Sequence, residues 1–185
     1  TLKGFESMLP AMVILTLAWT LSDLTQIMGT ATYLSQLVSE NINPLLLPSI
    51  GFALAALIAF STGSSWGTMA ILFPILLPTA YAAGEIAGMP SDQLENIFFQ
   101  CAAVVLSGAV WGDHCSPISD TTIMSSMASG CDHISHVNTQ LPYALSSGIL
   151  ALLLGHLLQP FLNIHPIFIF IAGGLILWLI TRYFG

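Results

Sequence analysis

The stretch Gly108-Ala-Val-Trp-Gly-Asp-His-Cys-Ser-Pro-Ile-Ser-Asp-Thr-Thr122 decides how this chain is read. Before it, Ile97–Trp111 is apolar; after it, Ile123–Ser129 forms a second apolar half-segment. Two carboxylates, Asp113 and Asp120, and a run of hydroxyls therefore interrupt what is otherwise one apolar helix. Ser116-Pro117 reads as a helix start, with Ser116 as N-cap and Pro117 at the first helical position, where no N–H is needed. Gly112 suits the end of the preceding half-helix, because glycine accepts a left-handed backbone. A second interruption, Ser61-Thr-Gly-Ser-Ser-Trp-Gly-Thr68, lies between the apolar runs Leu45–Phe60 and Met69–Ala83. There Gly63 precedes Ser64, Ser65, Gly67 and Thr68.

Composition identifies the solvent. Of 185 residues, 55% are hydrophobic and 6% charged, against about 25% charged in a soluble domain. The mean hydropathy is +0.86. A soluble globular domain and a disordered chain are both excluded. So is a nucleic-acid module, since Lys3 and Arg182 are the only Lys or Arg residues and make no basic face. The chain is expected to be an all-α integral membrane protein whose main partner is the lipid bilayer.

Since a span needs about 20 apolar residues, further crossings are expected at Met8–Ser22, Leu141–Leu158 and Ile164–Ile180. The last two hinge at Gln159-Pro160 and His165-Pro166. Thr25–Asn43 reads as an interfacial segment. A loop is expected to hold Glu85, Asp92 and Glu95, and a polar connection to cover Gly130–Asn138. Lys3 and Arg182 flank the terminal spans, which places both ends in the cytoplasm by the positive-inside rule. With no initiator Met, charged n-region or cleavage site, no signal peptide is expected, and the chain reads as part of a longer carrier. Cys101, Cys115 and Cys131 form no C-x-x-C pair, so neither a disulfide framework nor a zinc ribbon is indicated.

Polar backbone survives at membrane depth only when buried in protein or lining a wet cavity. Interrupted apolar segments are therefore the sequence mark of a secondary transporter's site. The half-helices offer carbonyls and N–H groups, and the residues between them add hydroxyls and carboxylates. A carboxylate at the bilayer centre costs about 2.5–3.5 kcal/mol. Loss of water favours its protonated form, and a bound cation favours its charged form. Such a group holds a proton or a cation, and that competition is sufficient for exchange.

The expected Na+ ligands are Asp113 and Asp120, with Ser116, Ser119, Ser64, Ser65 and Thr68. Asp113, Asp120 and His114 are the candidates for proton coupling, and Gly63, Gly67, Gly112 and Pro117 the hinges. Gly63 and Gly112 are expected near the bilayer midplane. No cofactor is called for beyond the transported Na+ and H+. A blander assignment makes Ser116 and Asp120 helix caps and the hydroxyls glue between helices. Asp23 suits an interface or a functional role; His133 and His136 suit solvated or capping positions. Trp66 and Trp111, each before a motif glycine, suit interfaces, cavity walls or a gate.

Two other chemistries compete. Gly63-Ser-Ser-Trp-Gly67 matches the G-x-S-x-G pattern of hydrolases, with Ser65 as nucleophile, His114 as base and Asp113 as orienter. That pattern belongs on a strand-to-helix turn, whereas here it joins two apolar segments. Asp113-His-Cys115, Cys131-Asp-His133 and His136 supply ligand types for a transition metal, but at spacings that match no closed site.

The fifteen residues from Gly108 to Thr122, together with Gly130-Cys-Asp-His-Ile-Ser-His-Val-Asn-Thr-Gln-Leu-Pro-Tyr-Ala144 and Ala59–Thr68, closely resemble the NhaC-type sodium/proton antiporter family. The resemblance implies a bacterial inner-membrane, multi-pass secondary carrier, not an enzyme, built from inverted repeats and expected to form a homodimer. In each repeat a helical hairpin and an unwound helix meet at the substrate. By position, Ser61–Thr68 would be the hairpin tip and Gly112–Thr122 the unwound stretch. The chain would be the C-terminal half, its partner the missing N-terminal repeat. The resemblance extends to malate–lactate exchangers and amino-acid carriers. No Lys or Arg lies in an apolar segment, so within the motif only His114 can pair with a carboxylate substrate. Cation/proton exchange is favoured for that reason.

Overall fold

Asn43 begins the continuous part of the structure, a computed structural model that describes residues 43–158 and 165–184 and the isolated positions 16, 20, 24, 27–29 and 33. The expected segments Met8–Ser22 and Thr25–Asn43 fall largely outside the described residues; Lys3, Asp23 and Gln159-Pro160 fall wholly outside them. A 3₁₀ turn, Pro44–Leu46, leads into α1 (Leu47–Thr62), followed by α2 (Ser65–Ile86), α3 (Ser91–Cys115) and α4 (Asp120–Ala128). Next come α5 (His133–Leu150), which continues as π-helical turns over Ala151–Leu158, and α6 (Pro166–Phe184). Among the described residues there is no strand. Among the described residues five stretches are long and apolar enough to cross a membrane: Pro44–Thr62, Ser65–Ile86, Ser91–Cys115, His133–Leu158 and Pro166–Tyr183. The protein is a multi-pass helical membrane protein.

Local chemistry sets the ends of the hairpin. The Asn43 side chain accepts from Leu45 N, and prolines occupy the first helical positions, where a missing N–H costs nothing. α1 stops at Gly63, whose φ of 65° closes the helix through its N–H to Ala59 O at 2.8 Å. Ser64 then starts α2, its hydroxyl accepting from Gly67 N at 3.1 Å. At 1.5 Å per residue the 22 residues of α2 reach about 33 Å. That is a full hydrocarbon thickness, so arm length does not oblige the tip to stop midway. The loop expected to hold Glu85, Asp92 and Glu95 is only the turn at 87–90: Glu85 belongs to α2, and Asp92 and Glu95 to α3. Asp92 in the first turn of α3 complements the positive end of the helix dipole.

α1 and α3 meet along a seam of small residues. A Cβ built on Gly108 would lie 2.7 Å from Phe52 O, and one on Gly112 2.2 Å from Ala56 O. Ala55, Ala59 and Ala109 fill the same seam and are fully buried. Small residues four apart let backbones approach until dispersion and Cα–H···O contacts hold them. Leu72, Leu76 and Ala80 of α2 complete the core against Ile97, Cys101 and Val105 of α3. Trp111 docks α5: its Nε1 donates to Ala144 O at 2.7 Å, and its indole fills the space a Cβ on Gly148 would need. α6 presents apolar side chains outward, among them Phe168, Phe170, Leu175 and Trp178.

Candidate functional site

The α3–α4 break falls at 116–119, one turn beyond the place Gly112 suggested. Gly112 lies inside α3, and its backbone is not left-handed. The glycine is needed for its lack of a side chain against Ala56, not for a turn. The turn itself needs no left-handed residue, because Ser116 (φ −72°, ψ 130°) and Ser119 (φ −68°, ψ 133°) make it with extended backbone. Ser116 ends α3 instead of starting the next helix, its N–H donating to Asp113 O at 3.1 Å. Its hydroxyl donates to Phe60 O in the last turn of α1 at 2.7 Å and accepts from Ile118 N at 3.3 Å. Ser119 takes the N-cap position of α4, with its hydroxyl 2.7 Å from Thr121 Oγ1. Pro117 stands between the two serines, in the break itself.

The two interruptions meet. A Cβ on Gly63 would lie 2.8 Å from Ile118 O, so the hairpin tip rests on the α3–α4 break through a residue with no side chain. At this junction the Ser65 hydroxyl donates to Asp113 Oδ2 at 2.9 Å, in a buried contact. Asp113 is 9% exposed. Its other oxygen, Oδ1, is buried and accepts no hydrogen bond, alone in this among the buried side-chain N and O atoms of the described residues. A buried acceptor without a partner costs roughly 1–3 kcal/mol, and more when charged. A cation at Oδ1 would supply the missing partner, and a proton there would remove the charge.

The remaining predicted residues stand at varying distance from this centre. Thr68 is buried and donates to Ser64 O at 2.9 Å, while Ser64 is committed to capping Gly67. Ser119 and Ser116 are fully buried in the break. Asp120 opens α4 but is exposed, and no hydrogen bond joins it to Asp113. The His114 side chain is exposed as well; its carbonyl accepts from Thr122 Oγ1 at 3.3 Å and from the Gln140 amide. The geometry thus assembles Asp113 with Ser65, and leaves Asp120 and His114 on the surface of this part of the chain. Two cavities flank Trp111. One, of about 390 Å³, is apolar and includes Phe52, Phe60 and Gly148 in its walls. The other, of about 350 Å³, is lined by Trp111, His114, Gln140, Tyr143, Ala144 and Ser147.

The competing chemistries find little support. Ser65 is bonded to Asp113, no hydrogen bond links it to His114, and it opens helix α2 instead of standing on a strand-to-helix turn. Among the described residues no three His, Cys, Asp or Glu side chains lie close enough to share a metal ion. Cys115 is buried while Cys131 is exposed. Trp111 is a docking residue for α5, and Trp66 is largely exposed.

His133 has a place that composition did not reveal. The expected polar connection is helical from His133 onward, because Asp132 caps α5 by accepting from Ser135 N and Ser135 Oγ, both at 2.9 Å. Those bonds, the backbone one first, hold the Asp132 carboxyl below its usual 3.8. His133 Nε2 lies 2.7 Å from Pro117 O and its Nδ1 3.1 Å from the Ser126 hydroxyl, while His136 Nε2 lies 3.2 Å from Ser125 Oγ. The one available signal was the i, i+3 spacing of the two histidines, which puts them on one helix face.

The profile of the Na+/H+ antiporter family matches residues 1–157. An uncharacterized protein of Haemophilus influenzae is 48% identical over 141 residues, which is 76% of this chain and 25% of that protein. A malate-2H(+)/Na(+)-lactate antiporter of Bacillus subtilis is 29% identical over 62% of this chain and 22% of its own length. An arginine/ornithine antiporter of Halobacterium salinarum is 34% identical over 59% and 21%. The chain therefore spans about a quarter or less of these relatives. No solved structure matches it.

Proposed function

The chain belongs to the Na+/H+ antiporter family, and on that footing we propose that it is a C-terminal part of an NhaC-type carrier exchanging Na+ for H+ across a bacterial inner membrane. The observation that carries this is Asp113. One of its oxygens is held by Ser65, and the other is buried with no hydrogen-bond donor. Oδ1 is a place for one positive charge, a proton or a sodium ion. The occupants exclude each other, so loading one from either side of the membrane expels the other. Ser65 keeps Oδ2 in place throughout. Ser116, Ser119, Ser64 and Thr68 supply the oxygen-rich surroundings, and Gly63 and Gly112 let the backbones meet there. Asp120 and His114 face the other inverted repeat, for which the greater length of the relatives leaves room.

The test uses the full-length carrier in proteoliposomes with a pH-sensitive dye inside, challenged with sodium, lithium and malate. Sodium should drive a pH change that Asp113→Asn abolishes. Wild-type flux in that variant would refute the assignment. Organic-acid exchange is the second possibility, favoured by the cavity of about 350 Å³ beside His114, Gln140, Tyr143 and Ser147 and by the likeness to the malate–lactate antiporter. Silence with sodium and a response to malate would select it, with Asp113 holding a coupling ion.

A further inference from the structure

We propose that His133 is a positioning residue for the α3–α4 break, fixing the peptide plane next to the one on which the hairpin tip rests. The bonds form a continuous path. A helix that stops leaves carbonyls needing donors, and here the donors come from side chains. Pro117 O takes His133 Nε2–H at 2.7 Å, from a residue sixteen positions on. The other edge of the same peptide plane, Ile118 N–H, donates to Ser116 Oγ at 3.3 Å. Ser116 in turn holds Phe60 O of α1. The Pro117–Ile118 plane is thus gripped on both edges. The following carbonyl, Ile118 O, is the atom against which Gly63 is packed. Rotation of that plane would move the tip, and with it Ser65, relative to Asp113. His133 anchors the plane to the first turn of α5.

The clamp is built to survive a change of charge. A carbonyl only accepts, so Nε2 carries the hydrogen. Ser126, fully buried, lies 3.1 Å from Nδ1 and 2.8 Å from Ile123 O. With a neutral ring the hydroxyl donates to Nδ1. With a protonated ring Nδ1–H donates to Ser126 Oγ, and the hydroxyl hydrogen turns to Ile123 O. The Pro117 bond persists in both. The ionisable groups on the surrounding elements are Cys131, Asp132, His136 and Tyr143 at or on α5, Asp120 on α4, and Asp92, Glu95, Cys101, Asp113, His114 and Cys115 on α3; Asp132 acts on the ring through charge. None of their side chains is hydrogen-bonded to the ring. His133 therefore holds the site steady across the pH range over which exchange runs, in contrast to a proton carrier.

Glutamine and asparagine separate the possibilities. The glutamine amide nitrogen reaches the place of the ring Nε2, whereas asparagine ends near Nδ1 and cannot reach Pro117 O. In the full-length carrier, His133→Asn should raise the KM for sodium roughly tenfold, the usual scale for losing a group that orients ligands. His133→Gln should stay near wild type with an unchanged pH profile. A proton relay predicts the opposite for Gln, since an amide does not take up and release a proton, and loss of exchange there overturns the proposal. Equal KM values in all three proteins overturn it too. Should Asn fail to fold, Gln still decides.

The transport arm rests on the exchange function proposed above, so a second arm does without it. Ile118→Cys in a Cys131→Ser background is labelled with a maleimide. Labelling should quicken with His133→Asn and not with His133→Gln. That pattern without any sodium flux keeps the clamp and discards sodium exchange; equal labelling rates discard the clamp.

Discussion

Replacing Gly112 by alanine tests whether the α1–α3 seam sets the site. The new Cβ would stand 2.2 Å from Ala56 O, 2.9 Å from its carbonyl carbon and 3.0 Å from its Cα. That is about 1 Å inside a close C···O contact of roughly 3.3 Å. All three obstacles are backbone atoms, so no rotamer change relieves them and the helices must part by about 1 Å. A gap of that size forfeits about a quarter to a half of each contact's attraction along the seam. Overpacking costs about 1–3 kcal/mol, here at the upper end, while alanine's better helix propensity returns about 1 kcal/mol. The net loss is then about 2 kcal/mol.

The same displacement reaches the neighbouring residue. The 2.9 Å bond from Ser65 to Asp113 would stretch to about 4 Å, beyond hydrogen-bonding range. The full-length Gly112→Ala protein should therefore melt several degrees lower in detergent and also lose the proposed sodium-dependent exchange. Gly174→Ala is the control, since nothing lies within 4 Å of its Cβ, and it should be neutral or slightly stabilising. Wild-type melting and sodium KM in Gly112→Ala would refute the proposed coupling between seam and site.

Two further outcomes follow from the structure. Gly148→Ala would put a Cβ 2.3 Å from the Trp111 indole; thermal unfolding should show a loss of about 1–3 kcal/mol, smaller in a Trp111→Phe background, whose ring is narrower. The second concerns pH at the start of α5. Hydrogen bonds from the Ser135 N–H and hydroxyl hold the Asp132 carboxyl below 3.8, so its charged form stabilises the folded state. That stabilisation is complete above the unfolded value and is lost as pH falls through the lowered one. Hydrogen exchange at the Ser135 amide should accelerate relative to its neighbours below about pH 4 in the wild type. In Asp132→Asn, which caps without titrating, it should not.

What the sequence made legible divides by the range of the interaction responsible. The Gly63–Ser64 interruption was legible because both causes are local: glycine's left-handed backbone ends α1, and a serine hydroxyl bonds a nitrogen three residues on. Asp113 was legible because a carboxylate inside an apolar run needs a reason wherever it lies. Gly112 was placed in the right motif but given the wrong task. Gly-x-x-x-Gly from 108 to 112 serves either a turn or a close crossing, and only Ala56 on another helix decides which. The same ambiguity moved the cap from Ser116 to Ser119, since Ser116 spends its hydrogen on Phe60 O, 56 residues away in the chain. His133 lay furthest from view. Its surroundings read as a polar connection because four of the nine residues at 130–138 are Asp, His or Asn. What turns that polarity inward is a freed proline carbonyl, which has no signature until the break is folded. Polar residues near an interrupted membrane helix are therefore better treated as donors for the orphaned carbonyls than as solvated surface. For this chain that rule pairs His133 with the break around Pro117, where the structure places it.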